Sequence, residues 1–168
     1  MAIISFKGMP VRTAGDLPPV GSRAPDFVLT GADLQDRTLR DFAGRKKVLN
    51  IVPSLDTGVC AASARRFNQE AGRRPNVVVI NISVDLPFAQ KRFCDAERLE
   101  HVVNLSAFRS PKFGEDYGVR IVEGPLTGLM SRAVIVLDAQ DRVVYTQQVP
   151  EIVQEPDYDA ALAALDRA

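Results

Sequence analysis

Three nearly unbroken apolar runs, Val48–Val52, Asn76–Val84 and Ala133–Leu137, constrain this chain more than any other feature of it. A strand with one wet face alternates apolar and polar residues. A strand that is apolar or β-branched at almost every position needs cover on both faces and belongs in the middle of a sheet. Phe27–Thr30, Val102–Leu105 and Val143–Gln148 read as further strands. Helices fit between them. Residues 58–71 are weakly amphipathic, with Val59, Ala62 and Phe67 among polar positions. A second helix begins at Asp85-Leu-Pro87, with proline in its first turn, and runs to Leu99 with Phe88, Phe93 and Leu99 facing inward. A short third follows Ser110-Pro111 and is closed by Gly118, and a fourth starts at Glu155-Pro156 and carries Leu162 and Leu165. Strands alternating with helices predict an α/β fold, a mixed central sheet flanked by helices. Ahead of it, Ile3–Phe6 and Val11–Thr13 flank Lys7-Gly-Met-Pro10, the pattern of a small β-hairpin.

The chain has 168 residues, enough for one core and a squeeze for two, so residues 1–168 are expected to form a single domain. Lys plus Arg and Asp plus Glu are 21 each. That neutrality argues against nucleic acid as a partner. No run approaches the roughly 18 apolar residues of a membrane-spanning helix, and Met1–Lys7 lacks the pattern of a secretory signal. A cytoplasmic protein is the expectation, and there a purely structural disulfide is unusual. The chain has two cysteines, Cys60 and Cys94, and one histidine, His101. A Cys/His dyad would have to draw on His101, and a four-ligand zinc site would need two carboxylates as well, so neither is favoured.

The chemistry concentrates in Pro53-Ser-Leu-Asp-Thr57-Gly-Val-Cys60, directly after a buried strand and before a helix. That order puts Cys60 in a first helical turn, where free N–H groups and the positive dipole end favour a thiolate. Taken one at a time, each residue has an ordinary explanation. Cys60 could be a small buried hydrophobe, Thr57 a helix N-cap and Pro53 a strand terminator. Their joint spacing is much harder to explain that way.

Pro53-x3-Thr57-x2-Cys60 resembles the active-site signature of the peroxiredoxins. The longer match, through Ala24-Pro-Asp-Phe-Val-Leu29, Leu105-Ser-Ala-Phe-Arg109, Gly124-Pro-Leu-Thr-Gly128, Arg132-Ala-Val-Ile-Val-Leu-Asp138 and Glu155-Pro-Asp-Tyr-Asp159, resembles their thiol peroxidase subgroup. The resemblance spans nearly the whole chain. It implies a thioredoxin-like fold, a homodimer, no cofactor, and thioredoxin as the usual reductant. It implies that Cys60 is the peroxidatic cysteine, that Thr57 and Arg132 bind the peroxide oxygens, and that Pro53 shields the sulfur. It further implies that Cys94 resolves the Cys60 sulfenic acid as an intramolecular Cys60–Cys94 disulfide, the atypical two-cysteine scheme for reducing hydrogen peroxide and organic hydroperoxides. Gly58 and Ala61 depart from the subgroup, which often has proline and an acidic residue there, but neither changes a reacting group.

Elementary kinetics say why such a site needs more than a cysteine. A free thiol of pKa about 8.5 is only a few per cent ionised at pH 7. Lowering a thiol to about 6 raises its thiolate fraction roughly 30-fold, yet nucleophilicity falls by about tenfold over the same range. The rest must come from orienting the peroxide and stabilising the departing oxygen. A hydroxyl and a guanidinium suit those tasks. Without the resemblance, Arg132 would read as a solvated strand-end residue. Cys94 lies in a different predicted helix from Cys60, and no Cys-x-x-Cys exists. Two such cysteines do not ordinarily meet the Cα spacing of a disulfide, so local unwinding of both helices is expected before the bond closes. Two other readings stay open. In one, Cys94 is an inert core residue and the chain is a one-cysteine peroxidase. In the other, the protein is a peroxide-sensing relay. His101 is assigned no role, the pairs Arg65-Arg66 and Arg73-Arg74 read as solvated helix faces, and Arg109 borders either the pocket or a dimer surface.

Overall fold

The three apolar runs lie within one seven-stranded sheet. The computed structural model describes residues 1–168. In chain order the elements are β1 (Ile3–Phe6), β2 (Met9–Arg12), β3 (Leu29–Thr30), β4 (Asp36–Arg37), β5 (Lys46–Ile51), α1 (Gly58–Ala71), β6 (Val77–Ser83), α2 (Pro87–Glu97), β7 (Val102–Ser106), α3 (Pro111–Asp116), β8 (Ala133–Leu137), β9 (Val143–Gln148) and α4 (Tyr158–Arg167), with a 3-10 turn at Leu39–Phe42. The sheet order is β4-β3-β7-β6-β5-β8-β9, and β1-β2 stand apart as a hairpin. The pairs β5–β6 and β6–β7 are parallel, while β8 runs antiparallel to β5. The predicted architecture, a mixed sheet flanked by helices behind an N-terminal hairpin, is the observed one.

Both faces of the central strands are covered, as their composition requires. Leu49, Ile51, Ile80, Ile82 and Ile135 join one cluster with Phe113. Val48, Val79 and Val134 face the other way, against Phe67 of α1 and Leu162 and Leu165 of α4. Each large aliphatic side chain buried this way contributes about 1.5–3 kcal/mol. The register then sets the site. Ile51, the last residue of β5, stands opposite Ala133, the first of β8. The segment leaving β5 towards Cys60 and the residue entering β8, Arg132, therefore meet at the same end of the sheet. No helix is long and apolar enough to cross a membrane.

Several boundaries differ from expectation for identifiable reasons. β5 begins at Lys46, not Val48, because the fully buried Lys47 ammonium lies 2.6 Å from Asp141 and donates to the Arg45 carbonyl at 2.8 Å. β2 begins at Met9, since Lys7 and Gly8 both have positive φ (51° and 80°) and close a two-residue turn. β3 covers only the end of Phe27–Thr30, and the two-residue β4 and the 3-10 turn were not anticipated. α2 stops at Glu97, capped by Arg98 in the left-handed conformation, and Phe88 points outward at 68% exposure. α4 starts at Tyr158, where the Asp157 side chain accepts from the Ala160 N–H at 3.0 Å. Gly118 does close α3: its φ is +69°, and a Cβ there would stand 2.2 Å from the Asp16 carbonyl oxygen.

Candidate active site

Cys60 is the third residue of α1 and is fully buried. Its neighbours are apolar: Val52, Leu55, Ala64 and Leu99, with Phe93 packed alongside. One polar group reaches the sulfur. Arg132 Nη1 donates to Cys60 Sγ at 3.1 Å, while Arg132 Nε donates to the Ile152 carbonyl at 2.7 Å. Arg132 is only 2% exposed. No carboxylate lies within salt-bridge distance of it, although eleven other arginines and lysines, and the N-terminus besides, pair with acids elsewhere. A buried guanidinium with no carboxylate is costly unless its site supplies negative charge of another kind. Here the one polar partner of the guanidinium beside the Ile152 carbonyl is the Cys60 sulfur.

Thr57 occupies the N-cap position of α1 but makes no side-chain cap bond. Its hydroxyl donates instead to the Ser54 carbonyl at 3.2 Å, so it is not the simple cap that its position suggests. Pro53 is buried at the turn between β5 and α1. Pro53, Thr57 and Arg132 line one cleft of about 330 Å³, whose apolar wall includes Phe6, Leu126 and Ile152. Cys60 is not among the residues lining that cleft; it joins Thr57, Arg132 and Pro53 through its contact with Arg132. Gly58 is not required by crowding, since a Cβ there would meet nothing within 4 Å.

Cys94 lies outside that cleft but packs against the apolar cluster that contains Cys60. It lies in α2, half-buried, and both cysteines are free thiols. Asn104 Nδ2 donates to its sulfur at 2.6 Å. Burial pushes the Cys94 thiol up, and the Asn104 bond opposes that rise. Arg109 lines a different cleft beside α3 and pairs with Asp36 at 2.9 Å. His101 is exposed beyond the end of α2. Arg65 and Arg66 are solvated but span helices, to Glu97 and Asp159, and Arg74 pairs with Glu70 and Asp166. No group of three or more His, Cys, Asp or Glu residues could hold a metal ion.

Two supporting residues were not identified from the sequence. Asp85, before α2, accepts from Ser54 Oγ and the Leu55 N–H, both at 2.7 Å, and so fixes the loop carrying Thr57. Glu151 accepts from Ser5 Oγ at 2.7 Å and from the Gly8 and Lys7 N–H groups at 3.0 and 2.9 Å. Those bonds, the Ser5 hydroxyl's first, hold its carboxyl down at about 2. They tie the N-terminal hairpin, which supplies Phe6 to the cleft, to the segment whose Ile152 carbonyl grips Arg132. Neither residue has a local motif, because each acts on partners far away in the chain.

Comparison with known proteins follows the geometry. The Redoxin family model matches residues 19–162. A curated thiol peroxidase from Mycobacterium bovis is 53% identical over 165 residues, covering 98% of this chain and 99% of that one. Among solved structures, a peroxiredoxin-like protein from Aquifex aeolicus superposes with a TM-score of 0.91 at 38% identity, covering 99% of this chain and 97% of that one. A thiol peroxidase from Chromobacterium violaceum gives a TM-score of 0.91 at 27% identity, over 98% and 95% of the two chains.

Proposed function

Because the chain belongs to the Redoxin family, as a thioredoxin-like peroxiredoxin of the thiol peroxidase kind and hence a thiol-dependent peroxidase, we propose that Cys60 is its peroxidatic cysteine and Cys94 its resolving one. The observation that carries this reading is the buried Arg132, without a carboxylate, 3.1 Å from the Cys60 sulfur. The Cys60 thiolate attacks one peroxide oxygen. The S–O bond forms as the O–O bond breaks, and the departing oxygen leaves as water or alcohol after taking a proton. Arg132 stabilises the charge that builds on the oxygens, which is where preorganised donors act most strongly, and the Thr57 hydroxyl joins it by turning from the Ser54 carbonyl. Pro53 limits water at the sulfur. The apolar wall of Phe6, Leu126 and Ile152 suits the hydrocarbon part of an organic hydroperoxide as well as hydrogen peroxide.

In the second step the Cys94 thiol loses its proton and attacks the sulfenic sulfur. The S–S bond forms, the S–O bond breaks, and the hydroxide leaves as water. Thioredoxin then returns the Cys60–Cys94 disulfide to two thiols by exchange. The same family reading makes the protein a cytoplasmic homodimer that needs no cofactor and binds neither nucleic acid nor membrane.

The alternative, a one-cysteine peroxidase, is separated from this reading by Cys94→Ser. With a thioredoxin system as reductant, that variant is expected to lose turnover by about 100-fold or more while still consuming one equivalent of peroxide per subunit. Turnover at the wild-type rate would instead favour the one-cysteine scheme. A relay protein would show fast Cys60 oxidation but no thioredoxin-supported turnover in the wild type.

A further inference from the structure

Three asparagines form one polar row through an otherwise apolar part of the sheet. Asn50 of β5 stands opposite Asn81 of β6, and Asn81 stands opposite Asn104 of β7. Asn50 Nδ2 donates to Asn81 Oδ1 at 2.9 Å, and Asn81 Nδ2 donates to Asn104 Oδ1 at 3.1 Å. The row ends on a reactive atom, because Asn104 Nδ2 donates to Cys94 Sγ. At its other end Asn50 Nδ2 reaches Ser63 Oγ at 3.4 Å, and Ser63 Oγ donates to the Cys60 carbonyl at 3.0 Å. A chain of hydrogen bonds therefore runs from the helix of one cysteine to the sulfur of the other.

Packing alone does not call for these amides. Valines occupy the neighbouring positions on the same face, Val48 and Val79 among them, and Asn50 and Asn81 are fully buried. The Asn50 Oδ1 even lacks a partner. Buried amides are expensive unless bonded. What the row supplies is direction: each amide orients the next, so the Asn104 donor is aimed by β6 and not by Cys94 itself.

We propose that this amide ladder is a latch on the resolving step, holding the Cys94 sulfur in its reduced-state place and setting how readily it is released towards the Cys60 sulfenic acid. The inference rests on the reading of Cys94 as the resolving cysteine. The two sulfurs are held by partners at different strands: Arg132 adjoins β8 and Asn104 lies on β7, three places apart in the sheet. Closing the S–S bond requires the Cys94 sulfur to leave Asn104. The Asn104–Cys94 bond is then present in the ground state and absent when the disulfide forms. An interaction made only in the ground state slows the step that breaks it. The Asn81–Asn104 bond lies within the sheet in both redox states, so its loss in a variant cancels from the comparison.

The test is rapid-quench intact mass spectrometry of wild type, Asn104→Ser and Asn104→Val after hydrogen peroxide. It follows conversion of the sulfenic acid, one added oxygen, into the disulfide, two hydrogens lost. Serine withdraws the donor from the sulfur yet leaves Asn81 an acceptor. Valine, a strong strand former, gives a second variant should the first not fold. Relative to Cys60 oxidation in the same sample, disulfide formation is expected to be about twofold to tenfold faster in both, the range of a single neutral hydrogen bond. The reduced form alone loses a bond, so the disulfide potential is expected to move more negative by up to about 30 mV, the equivalent of tenfold. An unchanged or slower resolving rate overturns the latch, and a slower rate makes Asn104 an activator of the thiol instead. If wild type itself forms no disulfide, the two-cysteine reading fails and takes the latch with it.

Discussion

Cys60→Ser is expected to remove peroxidase turnover, with kcat/KM for hydrogen peroxide falling about 10^5-fold or more, as removal of an essential nucleophile does elsewhere. The serine hydroxyl would sit in the same first turn of α1, among Val52, Leu55 and Ala64, with Arg132 still beside it. A helix N-terminus and a guanidinium do not ionise an alcohol at neutral pH. No substitute nucleophile is at hand either, because the other thiol bonds to Asn104 on β7 and not to Arg132. Peroxide consumption in a thioredoxin-coupled assay checks this directly. Residual activity above about one per cent would place the chemistry at another residue, so the nucleophile role rests on a near-total loss.

Arg132→Met is the second large effect. We expect kcat/KM to fall about 10^2- to 10^3-fold, the loss typical of one preorganised donor to a developing oxyanion. Arg132→Lys should recover little of it. The guanidinium donates in two directions at once, to the sulfur and to the Ile152 carbonyl, and an ammonium has neither its planar fork nor its fixed spacing. The same variant separates catalysis from folding. Arg132 is a buried charge without a carboxylate, so replacing it with an apolar side chain of similar length removes a desolvation burden while leaving the Ile152 carbonyl unpaired. Those effects oppose each other, and the unfolding free energy is expected to change by no more than about 2 kcal/mol. Denaturant unfolding alongside steady-state kinetics reads both. A large stability loss with little kinetic effect would make Arg132 structural.

What could be read in advance was what depends on near neighbours in sequence. The apolar runs of β5, β6 and β8 announce covered strands, and the span of α1 follows from where Val59 and Phe67 recur. Pro53, Thr57 and Cys60 lie within eight residues, so their convergence was legible. Arg132 was named through resemblance, since a residue at a strand start carries no sign of where it points. Its burial depends on the antiparallel register of β8 against β5, which is a long-range fact. Lys47 misled for the same reason, because its partner Asp141 sits on the β8–β9 turn. Phe88 misled in the opposite direction: it was grouped with Phe93, but five residues put the two about 140° apart around a helix, and Phe88 is exposed. Asp85, Glu151 and the asparagine ladder were silent. Each works through partners contributed by other strands or loops, and an isolated asparagine within a valine run gives no sign of the amides beside it.

The central claim is that Cys60 takes the oxygen and Cys94 removes it. Its most direct test is intact mass spectrometry of the fully reduced protein and of Cys94→Ser after one equivalent of hydrogen peroxide. The account predicts that the wild type loses two hydrogens and that Cys94→Ser gains one oxygen. A wild type that also stops at one added oxygen would contradict the role of Cys94, and no mass change in either protein would contradict the role of Cys60.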